Sequence, residues 1–229
     1  MRKEGPVRRF FDHEDLKSPI SEAFRALRAN LQFTRIDKDN KIILLSSTKP
    51  EEGKTTVTFN LAASLALANK SVLLIDSDLR KPRVHKFLGT KNYIGLTNIL
   101  VEDLNYIEVI NLVDGYEGFH VITAGPIPPN PSELLSSAKM KSFLAHIEKY
   151  YDYIIIDSPP VGSVADAVVL STLSHGVILV ARSGHIKRDE LIRTKDSFEK
   201  VGANLLGVVL NDVTKEELPY DYYYNYYAE

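Results

Sequence analysis

The sequence predicts a single α/β domain, doubly wound, in which a mainly parallel sheet carries helices on both faces. Short apolar runs alternate with longer amphipathic stretches from residue 41 onward, and this alternation is typical of repeated βαβ units. The apolar runs are almost uninterrupted, as expected of parallel strands that are buried on both faces. A chain of 229 residues, 44% hydrophobic and 25% charged, is long enough to bury the core of such a domain.

The first predicted element is a helix that begins at Ser18-Pro19, because serine is a preferred N-cap and proline suits the first helical position. It ends near Arg35 and has an apolar face formed by residues at helical spacing, Ile20, Phe24, Leu27 and Leu31. The apolar runs predict strands at 42–47, 72–76, 119–123, 154–157, 177–181 and 205–211. The amphipathic stretches predict helices at 54–69, 95–101, 132–150, 164–174 and 187–201.

These elements divide the chain into three parts. Residues 1–38 are interpreted as an arm and a helix, 39–213 as the core, and 214–229 as a flexible tail. The tail holds half of the 12 tyrosines, namely Tyr220, Tyr222, Tyr223, Tyr224, Tyr226 and Tyr227. Because the tail shows no helical or strand periodicity, we interpret these phenols as phosphate acceptors. A tail that docks on a neighbour or stays without structure is the alternative.

A nucleotide-phosphate loop follows the first strand. Gly53-Lys54-Thr55 lies between an apolar strand and a helix, the context in which a P-loop binds phosphates with backbone N–H groups and the helix N-terminus. The predicted nucleotide-binding residues are Pro50, Glu51, Glu52, Gly53, Lys54, Thr55 and Thr56. Lys54 would neutralise phosphate charge and the Thr55 hydroxyl would bind Mg²⁺. The loop is a variant, because Thr48 replaces the usual glycine.

Three aspartates end the predicted strands that surround this loop. Asp76 and Asp78 close the second strand, and Asp157 closes a later one. Ligands of open parallel sheets bind beyond the carboxyl ends of the strands, so these carboxylates should converge on the P-loop. Mg²⁺ takes few protein oxygens directly. The sequence therefore predicts an ATP and Mg²⁺ site at this edge of the sheet.

Composition excludes several other functions. A net charge of −2 and a pI near 6.3 give no electrostatic pull on nucleic acid. Cysteine is absent, which removes disulfides and thiolate metal sites, and the six histidines are too scattered for a metal centre. No segment reaches the roughly 20 apolar residues of a membrane span, and the basic N-terminus lacks the apolar core of a signal peptide.

Four motifs together resemble the bacterial tyrosine kinases of capsule and exopolysaccharide gene clusters. They are the loop from Leu45 to Thr56, the D-x-D-x-R sequence from Leu73 to Arg80, the D-x-x-P sequence from Ile154 to Pro160, and an E-x-x-R-x-x-R helix formed by Glu22, Arg25 and Arg28. The tyrosine-rich tail matches as well. The resemblance extends from about residue 18 to the end of the chain.

The resemblance implies roles for these residues. Lys54, Thr55, Asp78 and Asp157 would bind MgATP, with Thr55, Asp78 and Asp157 on the metal. Asp76 would accept the tyrosine proton as general base, so that Asp76, Lys54 and Asp78 form the catalytic set. Asn211 would contact adenine, although a turn asparagine is an equally simple interpretation. Glu22, Arg25 and Arg28 would hold neighbouring subunits together.

The resemblance further implies autophosphorylation of the tail in trans within a ring-shaped homo-oligomer. The kinase would regulate the synthesis and export of capsule or exopolysaccharide from the cytoplasmic face of the cell membrane. A transmembrane activator with a cytoplasmic activating segment, a tyrosine phosphatase, and polysaccharide-synthesis enzymes as substrates are the partners it implies.

Two alternatives remain at this stage. The first is a MinD/ParA-like positioning ATPase. Lys49, five residues before Lys54, occupies the position where such ATPases place a lysine that reaches the partner's nucleotide. The second is a weakly catalytic scaffold. One departure from the kinase family also stands out, since Glu51 replaces the glycine that follows the loop proline. Either ATP binds more weakly in consequence, or the backbone at Glu51 needs only ordinary dihedral angles.

Overall fold

A computed structural model describes residues 18–34 and 41–214; the predicted N-terminal arm and the tail tyrosines lie outside these ranges. Seven strands form one sheet: β1 (Ile42–Ser47), β2 (Val72–Asp76), β3 (Asn111–Leu112), β4 (Phe119–Ile122), β5 (Tyr153–Asp157), β6 (Gly176–Arg182) and β7 (Leu205–Asn211). The strand order is β3-β4-β2-β5-β1-β6-β7. All neighbours are parallel except β3 and β4, which run antiparallel.

Eight helices surround the sheet within the described ranges: α1 (Pro19–Thr34), α2 (Lys54–Ala66), α3 (Val84–Leu88), α4 (Leu96–Glu102), α5 (Pro131–Leu135), α6 (Ala138–Ile147), α7 (Asp166–Ser171) and α8 (Arg188–Glu199). A 3₁₀ turn spans Tyr106–Glu108. None of these helices combines the length and the apolar content that crossing a bilayer requires.

The hydrophobic core lies on both faces of the sheet, so the predicted doubly wound fold is confirmed. One cluster packs residues of α4, α6 and α7 against one face, and a second packs α1 and α2 against the other. The inner strands β1, β2 and β5 are buried along their whole length, which explains their uninterrupted apolar sequences. The strand at the edge, β7, is only partly covered.

The first helix forms largely as its sequence predicts. The Ser18 hydroxyl accepts a hydrogen bond from the Ser21 N–H at 3.2 Å, so Ser18 caps the helix. Leu31 is buried, and the other apolar residues of the face, Phe24 and Leu27, pack against the core. Ile20 does not belong to that face, because 45% of its surface is exposed.

The prediction of one long helix over 132–150 is wrong. The structure has two helices there, α5 and α6, and the second ends at Ile147. Ser137 separates them in an extended conformation, and its hydroxyl accepts the Met140 N–H at 3.2 Å as the N-cap of α6. Serine offers the backbone this local alternative to a continuous helix. The sequence also gave no indication of α3 or of the short antiparallel β3.

Strand register brings the predicted site residues together. In the sheet, Asp76 at the end of β2 pairs directly with Asp157 at the end of β5, and Asp157 also pairs with Leu45 of β1. The turn that follows β1 leads into α2 at Lys54. The carboxyl ends of β1, β2 and β5 therefore meet at one edge, where an open parallel sheet binds its ligands.

Candidate functional site

The turn between β1 and α2 has a backbone that only glycine suits at its last position. Gly53 is the N-cap of α2 with a φ of 82°, in the left-handed region that favours glycine. A Cβ atom there would lie 2.0 Å from Nδ2 of Asn211. That amide donates to the Glu52 carbonyl at 3.0 Å, so Asn211 supports the loop from the end of β7. Its contact with adenine stays a prediction.

Glu51 also adopts a left-handed backbone, with a φ of 67°. The alternative in which the loop needs only ordinary dihedral angles at this residue is therefore excluded. A non-glycine residue in this region carries strain of about 1 kcal/mol. Glu51 thus lies at a position where glycine would relieve strain.

Lys54 and Asp157 form a buried ion pair at the start of α2. Lys54 Nζ lies 2.6 Å from Asp157 Oδ1, and the two side chains are 7% and 1% exposed. The Thr55 hydroxyl donates to the other carboxylate oxygen of Asp157 at 2.7 Å. The Thr58 hydroxyl donates to Oδ1 at 3.0 Å. Sequence reasoning missed Thr58, although its position one helical turn after Lys54 places both on the same face of α2.

Asp76 is fully buried between the ends of β2 and β5. Its Oδ1 accepts the Asp78 N–H at 3.2 Å, and its Oδ2 accepts the N–H groups of Arg83 and Val84 at 3.1 and 3.0 Å. Burial raises the pKa of Asp76 to about 7, and the neighbouring Asp157 carboxylate adds to the effect. The predicted general base is thus a carboxyl group that holds its proton more tightly than usual.

Asp78 lies on a short segment after β2. Arg80, on the same segment, bonds residues elsewhere in the domain. The Asp78 carboxylate accepts the Lys81 N–H at 2.9 Å. The Arg80 guanidinium bonds both oxygens of the buried Asp166 carboxylate, at 2.9 and 3.3 Å, and donates to the Ser132 hydroxyl at 2.9 Å. This pairing raises the pKa of Arg80. Neither Asp166 nor Ser132 was predicted, because the contacts join residues more than 50 positions apart in the sequence.

A cleft of about 470 Å³ opens in front of these groups. The P-loop and the segment after β2 both contribute to its walls, together with residues after β5. The lining residues are Ser47, Pro50, Glu51, Glu52, Gly53, Lys54, Thr55, Thr56, Asp78, Arg80, Lys81, Arg83, Lys86, Phe87, Pro159, Pro160, Ser163 and Val164. Asp76, Asp157 and Asn211 lie behind this surface.

The hydrogen-bond donors of the cleft fit a nucleoside triphosphate. The N–H of Val57, the fourth residue of α2, donates to the Gly53 carbonyl. The N–H groups of Lys54, Thr55 and Thr56 have no acceptor in the described part of the chain. Such groups at a helix N-terminus attract phosphate oxygens. The described residues contain no cluster of three or more metal-binding side chains. Mg²⁺ does not require such a cluster, because it is held by one or two carboxylates together with substrate phosphates and water.

The predicted oligomerisation residues are not equivalent. Arg25 and Glu22 form an ion pair at 2.5 Å on the surface of α1. Arg28 instead reaches α2 of its own chain, where its guanidinium donates to the Ser64 carbonyl at 2.6 Å. Arg28 therefore secures α1 to the core, whatever else it does. Their role in assembly stays a prediction.

Lys49, the residue that pointed to a positioning ATPase, is engaged within its own chain. Its ammonium group lies 2.7 Å from Oε2 of Glu190 in α8. The pairing lowers the pKa of Glu190. A hydrogen bond of 3.0 Å between the Thr194 and Thr48 hydroxyls adds a second link between α8 and the loop.

Comparison with known proteins agrees with this geometry. Residues 40–201 match the model of a family described as an AAA domain. The putative tyrosine-protein kinase CapB of Staphylococcus aureus is 35% identical over 231 residues, which covers 100% of this chain and 99% of that protein. The tyrosine-protein kinase YwqD of Bacillus subtilis is 38% identical over 195 residues, covering 85% of this chain and 82% of its relative.

Solved structures give the same result. The kinase domain of the Escherichia coli tyrosine kinase ETK superposes with a TM-score of 0.87 at 35% identity, covering 95% of this chain and 85% of that domain. The chimerical protein CapA2B2 superposes with a TM-score of 0.84 at 39% identity, covering 89% of each chain. The septum site-determining protein MinD of Pyrococcus horikoshii, at 24% identity and a TM-score of 0.65, shares the fold alone. By full-length similarity and by the P-loop site that its strands assemble, this chain belongs to the bacterial tyrosine-protein kinases.

Proposed function

We propose that this kinase transfers the terminal phosphoryl group of MgATP to the tyrosines of its own tail, on a neighbouring copy of the chain. The observation that carries the proposal is that Lys54 and Asp78 line one cleft, with Asp157 paired to Lys54 behind its surface, in a chain whose last ten residues include six tyrosines. The P-loop and the acceptors are far apart in the sequence. Exchange between subunits of a ring brings acceptor and donor together.

The roles of the nucleotide-binding groups follow from their positions. The loop 50–56 and the N–H groups at the start of α2 hold the phosphates. Lys54 neutralises charge on the transferred group and fixes its position, which is most of what catalysis of phosphoryl transfer requires. Thr55, Asp78 and Asp157 hold Mg²⁺, which supplies further neutralisation of the phosphate oxygens. Asn211, which already supports the loop, contacts the adenine.

Asp76 is the proposed general base. Its pKa of about 7 suits a group that accepts a proton at neutral pH. Asp78 is the competing candidate, because its side chain lines the cleft whereas that of Asp76 is buried behind it. Asp76→Asn and Asp78→Asn separate the two roles. Loss of the base lowers the rate of transfer at saturating MgATP, whereas loss of the metal ligand raises the Mg²⁺ concentration needed for half-maximal rate.

Assembly and regulation complete the proposal. Glu22 and Arg25 on the surface of α1 contact the neighbouring subunit of the ring. Each phosphate adds about −1.5 to −2 charges to a tail that already carries Glu216, Glu217, Asp221 and Glu229, so phosphorylation weakens the ring. Light scattering measures this directly, and equal particle sizes before and after phosphorylation would refute it.

The setting in the cell rests on the family. The kinase regulates capsule or exopolysaccharide synthesis and export from the inner face of the cell membrane, where a transmembrane activator recruits it through a cytoplasmic segment. Similarity to CapA2B2, a chimera, supports a kinase that works with a second component. A tyrosine phosphatase resets the tail, and polysaccharide-synthesis enzymes are further substrates.

Labelled ATP tests the proposal against its alternatives. Incubation with MgATP labelled in the terminal phosphate should place label on tail tyrosines, and a Lys54→Met variant should not become labelled when incubated alone. Release of free phosphate without protein labelling would indicate a positioning ATPase. Neither product, with the activator segment supplied, would indicate a scaffold.

A further inference from the structure

One wall of the cleft carries three cations that have no acidic partner within the described part of the chain. Lys81, Arg83 and Lys86 line the cleft and are exposed. Their neighbour Arg80 is paired with Asp166, but no carboxylate among residues 18–34 and 41–214 forms an ion pair with any of the three. We call Lys81, Arg83 and Lys86 the basic rim.

The basic rim is held at a fixed place relative to the reaction centre. Arg83 is the N-cap of α3, and Lys86 follows it by three residues on that helix. The N–H groups of Arg83 and Val84 donate to the carboxylate of Asp76, and the N–H of Lys81 donates to Asp78. The backbone that carries the cations is therefore bonded directly to the two carboxylates proposed for proton transfer and metal binding.

An aromatic side chain lies beside the rim. Phe87 follows Lys86 and lines the same cleft, and its ring stacks on that of Phe59 with 5.1 Å between centroids. A tyrosine ring entering the cleft would meet an apolar aromatic surface next to three positive charges. This combination suits a tyrosine that has carboxylates as neighbours, because aromatic contact and ion pairing act on one short segment.

Residues 216–229 have the matching chemistry. They contain four acidic side chains and no basic one, with the six tyrosines between them: Glu216, Glu217, Asp221 and Glu229 are the acids. In the proposed function the nucleotide phosphates are bound by Lys54 and the N-terminus of α2. The three charges of the basic rim lie on a different segment and are therefore available to another anionic ligand.

We propose that the basic rim is the docking surface for residues 216–229 of a second copy of the chain, and that it makes the kinase selective for tyrosines flanked by carboxylates. The proposal extends the function given above, since it names what selects the acceptor. Docking itself needs no phosphoryl transfer and is tested independently of it.

Zero-length carbodiimide crosslinking of the full-length protein tests docking. Equal amounts of ¹⁵N-labelled and unlabelled chain are mixed, treated and digested, and crosslinked peptides are identified by mass spectrometry. We expect amide links between Lys81 or Lys86 of one isotope and the acids of 216–229 of the other. Lys141, Lys149 and Lys200, which are exposed and outside the cleft, serve as controls and should give no such links.

A kinetic comparison tests selectivity. The acceptor is the full-length Lys54→Met chain, and the enzyme is wild type, the rim variant Lys81→Gln/Arg83→Gln/Lys86→Gln, or the matched control Lys141→Gln/Lys149→Gln/Lys200→Gln. We expect the rim variant to raise the KM for acceptor about tenfold, since three exposed ion pairs each contribute a few-fold. The KM for ATP should not change, and the control should match wild type.

The outcomes separate this inference from the proposed function. Crosslinks to the rim without tail phosphorylation would support docking while removing transfer to the tail. Tail phosphorylation with an unchanged acceptor KM and no rim crosslinks would overturn the rim and leave the kinase proposal intact. A raised KM for ATP, or crosslinks confined to one isotope, would likewise overturn docking of a second copy on the rim.

Discussion

The ammonium group of Lys54 lies 2.6 Å from the carboxylate of Asp157, and both side chains are almost fully buried. Lys54, the proposed phosphate-binding lysine, is thus paired with an opposite charge in the nucleotide-free protein. In the proposed MgATP complex, a phosphate would replace Asp157 as the partner of Lys54, and the metal would replace Lys54 as the partner of Asp157. The ion pair therefore keeps two charged residues of the site compatible with a buried position in the free protein.

Lys54→Met should destabilise the nucleotide-free protein by about 3 kcal/mol, because it leaves the Asp157 carboxylate buried without its counter-ion. The hydroxyls of Thr55 and Thr58 still donate to that carboxylate, which keeps the loss from being larger. Urea denaturation measures the effect. Adding Asp157→Asn to Lys54→Met should restore most of the stability, and a double variant no more stable than the single one would contradict the pairing.

Asp76 should make stability depend on pH. Its pKa is 3.8 in a model peptide and about 7 in the folded chain, so the folded state binds the proton more tightly than the unfolded state. This contribution is complete below pH 3.8 and is lost as pH rises through about 7. The loss is on the order of a few kcal/mol.

Asp76→Asn removes that titration. Relative to wild type, the variant should gain stability steadily between pH 5 and about pH 7 and then show a constant difference, apart from a pH-independent offset for its altered hydrogen bonds. Urea denaturation with a chelator and without nucleotide at several pH values gives the comparison. A difference that does not change across this window would show that Asp76 is ionised in the folded protein.

Glu51→Gly should be more stable than Glu51→Ala by about 1 kcal/mol. Both variants lack the glutamate side chain, but only glycine adopts the left-handed backbone of this position without strain. Thermal unfolding of the two variants isolates the backbone effect. Equal stabilities would mean that the loop does not hold its φ of 67° in solution.

Arg80→Ala should lower stability by about 1 to 2 kcal/mol and slow tail phosphorylation. The substitution leaves the buried Asp166 carboxylate without its counter-ion and removes the contact that holds the segment carrying Asp78. Because Arg80 is partly exposed, the loss of stability is smaller than for a fully buried ion pair. Arg80→Lys should recover little, because a lysine does not bond both carboxylate oxygens in a planar fork. In a double-mutant cycle with Asp166→Ala, strictly additive losses would show that the two residues do not interact.

Arg25→Glu and Arg28→Glu should act differently. Arg25 is proposed to contact the neighbouring subunit, so its replacement should disrupt the oligomer. Its partly exposed ion pair with Glu22 contributes no more than about 1 kcal/mol to the free energy of unfolding. Arg28 bonds the Ser64 carbonyl of its own chain, so its replacement should also destabilise the subunit. Light scattering and urea denaturation measure the two effects. A double variant that assembles like wild type would eliminate the interface role.

The sequence was sufficient for the parts of the fold that depend on local pattern. Uninterrupted apolar runs predicted the buried parallel strands, and Gly-Lys-Thr after the first of them predicted the P-loop. The convergence of Asp76, Asp78 and Asp157 followed from a general rule for open sheets, and the register between β2 and β5 explains it.

Contacts between distant segments could not be predicted in this way. The ion pair between Arg80 and Asp166 depends on where helices and strands pack, and so does the hydrogen bond from Asn211 to the loop. No local sequence pattern encodes that packing. The break between α5 and α6 had a local signal in Ser136-Ser137, but helical periodicity on both sides concealed it. The strain at Glu51 could be recognised only from its backbone dihedral angle in the structure.

The most direct test of the central claim is transfer between copies. Untagged wild-type chain, MgATP and the activator segment are incubated with a mass-tagged Lys54→Met chain, and phosphotyrosines are mapped by mass spectrometry. Phosphate at tyrosines 220–227 of the tagged chain, which cannot phosphorylate itself, is the predicted result. Phosphate confined to the wild-type chain, or absent from both tails, would contradict transfer in trans.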